Sequence, residues 1–209
     1  MDVPEDLIEL PLFPLRTVLF PGGMLPLKVF EQRYIDLVRD SVRDQSGFGV
    51  CLLIANEGEP TGIARIGTMA TIDDWYLRDD GLLGINASGQ RRFRMHRTWA
   101  RDNGLLCASV EWLDEDSQCV PTDCSVLVTL LRQIVEQTEL ELPQMSESNM
   151  DNATFVANRL AELLPLELEE RQQLLEIPAA DERLRRLFIM LRELQERQRQ
   201  EEGEDDADE

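Results

Sequence analysis

A single histidine, a single lysine and four cysteines are the side chains of this sequence best suited to nucleophilic, acid–base or metal chemistry. His96 closes the run Arg92-Phe93-Arg94-Met95-His96. Strand alternation would put Arg92, Arg94 and His96 on a polar face and turn Phe93 and Met95 inward. No motif sets a serine or cysteine beside His96, so it reads as a surface histidine and not as the base of a triad. Lys28 follows Leu27 in an extended apolar run. A phosphate-binding loop would need glycines ahead of the lysine, so that backbone amides and the ammonium could hold the phosphates. Cys51 and Cys107 sit in apolar runs, where a reduced cysteine acts as a small hydrophobe. Cys119 and Cys124 are separated by four residues, not the two of common zinc knuckles. With one histidine, no tetrahedral zinc site is expected. The expectation is no catalytic residue, no metal and no cofactor, in a reducing cytoplasm.

Two constellations point to binding instead. Arg91, Arg92, Arg94, Arg97 and Arg101 form a basic island with Phe93 and Trp99 between them. Arginine beside aromatic residues suits single-stranded RNA. The competing reading pairs these arginines with nearby carboxylates. With 41 acidic against 21 basic residues and a net charge of −20, the chain repels phosphates, so pairing is preferred and RNA binding is the alternative. The second constellation surrounds Pro21-Gly22-Gly23. Phe20, Met24 and Leu25 flank that turn, and Glu31 and Arg33 offer one charge of each sign soon after it. A proline-bounded strand edge leaves backbone groups that an extended peptide can pair with. These five residues are the candidate peptide site, although core and helix-terminus roles compete for each of them.

The elements that must position these residues follow from punctuation and period. Residues 10–34 are almost wholly apolar, yet Pro11, Pro14, Pro21 and Pro26 interrupt them, which excludes a helix. Short strands joined by a Pro-Gly turn remain. Tyr34, Ile35, Val38 and Val42 then recur at helical spacing. Phe48–Ile54 reads as a buried strand and 56–62 as a loop. Leu82–Ala87, Arg91–Trp99 and Leu105–Leu113 read as three more strands, with hairpin signals at Asp79-Asp80-Gly81 and Asp102-Asn103-Gly104. Many short strands with one early helix fit a closed barrel. After Asp114 the period becomes helical. Pro165 and Pro178 end helices, Asp181 can cap the last one, and Leu184, Leu187, Phe188, Leu191 and Leu194 form its stripe. Residues 139–148 read as a linker. The expected organisation is α+β: a β-barrel lobe over 1–118, a helical lobe over 119–200 and a disordered acidic tail over 201–209. The acidic start does not suit a signal peptide, and no run reaches the about 18 apolar residues of a membrane span.

The run Leu10–Leu15, Val18–Gly22, Pro26-Leu27, Val29-Phe30-Glu31 and Arg33-Tyr34, followed by Ile66-Gly67-Thr68 and Gly89-Gln90-Arg91-Arg92-Phe93, resembles the amino-terminal, substrate-binding domain of Lon protease. The resemblance extends over residues 8–195. It implies a PUA-like β pseudo-barrel followed by a C-terminal α-helical bundle. It also implies a non-catalytic module that recognises polypeptide, either unfolded segments or a protein partner, in protein quality control. Lon's peptidase chemistry needs a serine activated by a lysine. The only lysine here lies in the barrel motif, so a stand-alone member without ATPase or peptidase is expected.

Overall fold

The computed structural model describes residues 7–54, 62–115, 118–138 and 146–205. In chain order it contains β1 (Ile8–Leu15), β2 (Met24–Val29), α1 (Gln32–Asp44), β3 (Phe48–Ile54), β4 (Gly62–Ile63), β5 (Ile66–Leu77), β6 (Leu83–Ala100), β7 (Leu106–Trp112), α2 (Ser125–Thr138), α3 (Glu147–Met150), α4 (Ala153–Leu163), α5 (Leu168–Glu176) and α6 (Ala180–Asp205). The fold class is α+β. Two compact units divide at Asp114/Glu115, and Pro165–Glu176 belongs with the first of them.

In the strand unit, β1 pairs with β7, β7 with β6, β6 with β5, β5 with β3, and β3 returns in parallel to β1. The ring is closed, which removes most free edges. Prolines fit inside β1 because each half of it is paired on one side only. Ile8–Pro11 meet β7, and Leu12–Leu15 meet β3. Pro11 and Pro14 therefore take edge-type positions, where a missing N–H is tolerated.

The two expected strands Leu82–Ala87 and Arg91–Trp99 are one continuous strand of 18 residues. Leu83–Ser88 lie between β2 and β5, and Phe93–Ala100 pair with β7. The change of partner happens at Gly89. There the Pro21-Gly22-Gly23 turn docks, with Gly22 N–H on Gly89 O at 2.7 Å and Gly89 N–H on Gly23 O at 2.8 Å. Gly22 has φ 77°, which only glycine adopts without strain. A Cβ on Gly89 would collide with the Phe20 carbonyl oxygen. The hairpin signals hold: Gly81 N–H bonds Arg78 O, and Gly104 N–H bonds Arg101 O.

Helix α1 turns Tyr34, Leu37 and Val38 onto a core shared with Phe13, Leu19, Val29, Phe48 and Ile85. Each such side chain contributes about 1.5–3 kcal/mol by leaving water. The helix ends at Gln45, whose φ of 49° and N–H to Ser41 O close the last turn. A second cluster, with Leu10, Leu12, Phe93, Met95 and Val110, joins β1, β6 and β7.

Helix α5 is not part of the helical lobe that the sequence reading assigns to it. Arg92, placed there on the polar face, is fully buried, and its guanidinium donates to Leu175 O at 2.6 Å. Gln172 Nε2 donates to Ile66 O at 3.0 Å. A buried cation holds its position only with such partners, so these two bonds fasten α5 to β5 and β6.

The helical unit packs Leu127 and Leu131 of α2, Val156 and Leu160 of α4, and Leu184, Leu187 and Met190 of α6 as buried side chains. Asn152 caps α4 by accepting from Phe155 N–H at 3.0 Å. Arg183 is fully buried and donates to Asn158 Oδ1 at 2.7 Å and to Ile177 O at 3.0 Å. Helix α6 starts one residue before Asp181, whose carboxylate accepts from Arg185 at 2.7 Å instead of standing at the cap position. It runs on to Asp205, so residues 201–205, expected to be disordered, are helical. Their glutamates follow a Gln- and Arg-rich stretch with good helix propensity. The tail beyond 205, the loop at 55–61 and the linker residues 139–145 lie outside the described residues.

Two outcomes follow. Arg92→Met should strip the donor from Leu175 O and destabilise the protein by about 1–3 kcal/mol. Hydrogen exchange should locate the loss at 168–176 together with β6. Cys51, Cys107 and Cys124 are buried and Cys119 is exposed. Burial pushes the Cys51 thiol up to about 12. A thiol reagent at mildly alkaline pH should therefore modify Cys119 alone in the native protein, and the others only in denaturant.

Candidate functional site: an apolar groove at the start of the first helix

The strand alternation that buries Leu25, Leu27 and Val29 against the core ends at an exposed phenylalanine. Phe30 is 65% exposed, where Val29 beside it is 1%. Phe30 and the residues after it line a groove of about 460 Å³. Its apolar walls come from Leu15 of β1, Leu27 of β2, Leu53 of β3, Ile63 of β4 and Leu106 of β7.

Glu31 and Arg33 lie in the same groove. Glu31 precedes α1 in extended backbone (φ −78°, ψ 135°), and its carbonyl accepts from Tyr34 and Ile35 N–H. Its carboxylate makes no cap bond. It pairs instead with Arg33 Nη2 at 2.7 Å, both side chains remaining more than a third exposed. Arg33 Nη1 donates to Gly104 O at 3.1 Å, and its guanidinium lies 4.7 Å over the Tyr34 ring. Arg33 Nε is buried without a hydrogen-bond partner. Tyr34 stacks on Phe13 at 3.9 Å between centroids with 8° between planes. Burial raises the Tyr34 phenol above its ordinary value, against the pull of the Arg33 charge. The lining thus includes a stacked aromatic pair, and its charged residues are Glu31, Arg33 and Lys28, the last paired with Asp80 at 2.8 Å.

Of the five candidate peptide residues, the structure brings Glu31 and Arg33 together and separates the rest. Phe20 is completely buried and belongs to the core. The turn that follows it folds back onto Gly89 and seals the ring in. Leu25 is half-buried against the core, and Met24, 56% exposed, stands opposite Ser88 on β2, outside the groove. Phe30 is missing from the candidate set. Its signal was present, because Leu25, Leu27 and Val29 share one parity of β2 and Phe30 falls on the other.

The basic island is mostly neutralised. Arg91 binds Asp114 at 2.6 Å and lies 5.6 Å over the Trp112 ring. Arg94 and His96 both contact Glu111, His96 at 3.1 Å. Burial works against the Glu111 charge, yet the Arg94 and His96 hydrogen bonds prevail and leave its carboxyl below the usual range. Arg101 binds Glu9 at 2.7 Å. Arg92 is buried, and Arg97 is the exposed remainder of the five arginines of the island. Among the described residues, no group of three or more His, Cys, Asp or Glu is placed to hold a metal ion. No helix among them is long and apolar enough to cross a membrane.

This fold recurs in solved structures. A Lon N-terminal domain protein from Xanthomonas campestris matches with a TM-score of 0.74 and 38% identity, covering 87% of this chain and 98% of that one. The N-terminal domain of the Mycobacterium avium complex Lon protease has the same fold at 17% identity, with a TM-score of 0.65 over 86% of this chain and 96% of that one. The Lon proteases of Anaeromyxobacter dehalogenans and Cytophaga hutchinsonii are 29% and 30% identical over 87% and 88% of this chain. The chain spans about a quarter of the length of those two relatives, 23% and 24%. The sequence model of the ATP-dependent protease La (LON) substrate-binding domain matches residues 9–193, and the chain belongs to that family.

Proposed function

We propose that this chain recognises polypeptide, holding exposed apolar segments of unfolded or damaged proteins in the groove between Phe30 and Arg33, and that it catalyses nothing itself. The observation that carries the reading is the exposed Phe30 on the rim of an apolar groove whose lining includes the Phe13–Tyr34 stack. Phe30 gains by leaving water when a client side chain covers it. The Glu31–Arg33 pair supplies an acceptor and a donor for the client's backbone. Exposed pairs of this kind are worth about 0–1 kcal/mol, so they can be exchanged at little loss. A surface that must release its client binds weakly, at about micromolar affinity or −8 kcal/mol. Membership of the family supports substrate recognition as the coarse role. Quality control of proteins in the cytoplasm, alone or with a protease, is the setting we propose.

The test is titration of a labelled, reduced and permanently unfolded model polypeptide. Phe30→Ser and Arg33→Glu should weaken binding about tenfold, equal to about 1.4 kcal/mol. Thermal melts should show both variants folded, since Phe30 is 65% exposed and the Arg33 side chain 37% exposed. Equal binding by wild type and both variants would place the contact elsewhere, and no binding by wild type would refute polypeptide recognition.

The RNA alternative is not favoured, because Arg92 is buried and Arg91, Arg94 and Arg101 are paired. A single-stranded RNA should show no sub-micromolar, salt-steep binding by fluorescence anisotropy. Such a complex, lost on Arg97→Glu, would revive that reading.

A further inference from the structure

Strand β5 is 12 residues long, but β3 covers one side of it only from Thr68 to Ala70. Beyond that, Thr71–Leu77 pair with β6 alone, and among the described residues no strand pairs with their other side. Natural sheets protect such edges with charged side chains, proline, bulges or very short strands, and this edge has one irregularity, between Ile72 and Asp74. This one carries Trp75, Tyr76 and Leu77 in succession, exposed at 60%, 37% and 78%. The Tyr76 ring lies over Gly84 of β6, whereas Trp75 and Leu77 are left on the opposite face.

A cavity of about 340 Å³ opens beside this edge at the last turn of α1, lined by Ser41, Val42, Gln45, Ile72, Asp73 and Trp75 among others. Ser41 is 3% exposed, and its hydroxyl has no hydrogen-bond partner. The end of a helix carries partial negative charge. Asp73 adds a carboxylate held by Ser88 Oγ at 2.9 Å. The nearby cations are already engaged: Arg43 bonds Asp44 and Asp40, while Lys28 and Arg78 bond Asp80. The edge is locally capped at one point, where Asp74 Oδ1 accepts from the Trp75 N–H at 2.9 Å, a bond that an added strand displaces. Backbone groups for a strand, a cavity with one carboxylate and an aromatic face for a cation therefore adjoin.

We propose that the free edge of β5 is a second polypeptide contact, selective for extended segments in which Lys or Arg alternates with large apolar residues. The segment adds a strand along Thr71–Leu77. Its cation enters the cavity between Asp73, Ser41 and the Trp75 ring, and its apolar side chains cover Leu77. The proposal rests on the polypeptide-binding reading of the chain but uses other residues than the Phe30 groove.

The experiment is fluorescence anisotropy at low salt with labelled peptides of about nine residues, enough to span the edge at about 3.3 Å per residue. One peptide alternates Leu and Lys, a second alternates Leu and Glu, and a third is the Leu/Lys peptide with alternate backbone nitrogens methylated. Wild type should bind the first about tenfold more tightly than the second. Methylation should abolish binding, because the added strand loses its donors. Trp75→Ala and Asp73→Lys should each weaken it about tenfold, Trp75→Phe should largely restore it, and thermal melts should show all variants folded. Equal binding of the acidic peptide, full binding of the methylated peptide, or indifference to both Trp75→Ala and Asp73→Lys overturns the proposal. If the unfolded model polypeptide still binds through Phe30 in that case, polypeptide recognition stands and this edge falls. If neither probe binds, both fall.

Discussion

Two backbone hydrogen bonds, from Gly22 N–H to Gly89 O and from Gly89 N–H to Gly23 O, fix the point on which the strand unit depends. They fasten the turn between β1 and β2 to the residue where β6 exchanges β2 for β7. A side chain at Gly89 would push the Phe20 carbonyl away and break both. Once the turn is seated, β2 must run antiparallel along Leu83–Ser88, and its last residue delivers Phe30, Glu31 and α1 to their places. The same length of β6 draws β5 past the end of β3. The groove and the open edge are both consequences of one strand serving two partners.

What the sequence discloses and what it hides divide by range. Prolines and glycines act through their own φ and missing N–H, so the turns at Pro21-Gly22-Gly23, Asp79-Asp80-Gly81 and Asp102-Asn103-Gly104 are readable from neighbours alone. The amphipathic period of α1 is equally local. The continuity of β6 was not legible, because Gly89 between two strand-like runs looks like a break, and its role as a docking point needs the distant Pro21 turn. The burial of Arg92 was not legible either. Alternation puts it on the polar face, and only the carbonyl of Leu175, 83 positions later, shows why a cation is kept inside. Of the candidate residues, Glu31 and Arg33 stand out in the sequence by their charges at a helix start, and both line the groove. Phe20 was misjudged because adjacency to a turn does not report burial, and Phe30 was overlooked although strand parity exposes it.

The arginines show how composition and placement combine. A basic island is an electrostatic footprint only if its charges are unspent. Here the excess of carboxylates supplies Asp114, Glu111 and Glu9 as partners for Arg91, Arg94 and Arg101. Exposed pairs like these add little stability. Their effect is to cancel most of the local basic patch, and the net charge of −20 that remains disfavours phosphate-bearing ligands.

A polypeptide surface faces a conflict between holding a client and releasing it, and the two contacts proposed on one unit would ease that conflict. Each contact is small: one phenylalanine with an exchangeable ion pair, and one short strand edge with a cation cavity. Suppose each binds at about 30 μM alone, or about −6 kcal/mol. If one chain reaches both, the second encounter is intramolecular at an effective concentration of about 1 mM. Their joint dissociation constant is then about 1 μM, and either contact can still open and close rapidly. Only an unfolded chain is extended and flexible enough to offer an apolar segment to the groove and a backbone edge to β5 together. A folded protein that presents one such feature at its surface would stay at the weaker affinity. Discrimination between folded and unfolded clients thus needs no tight pocket, only two weak contacts that a compact protein rarely satisfies at once.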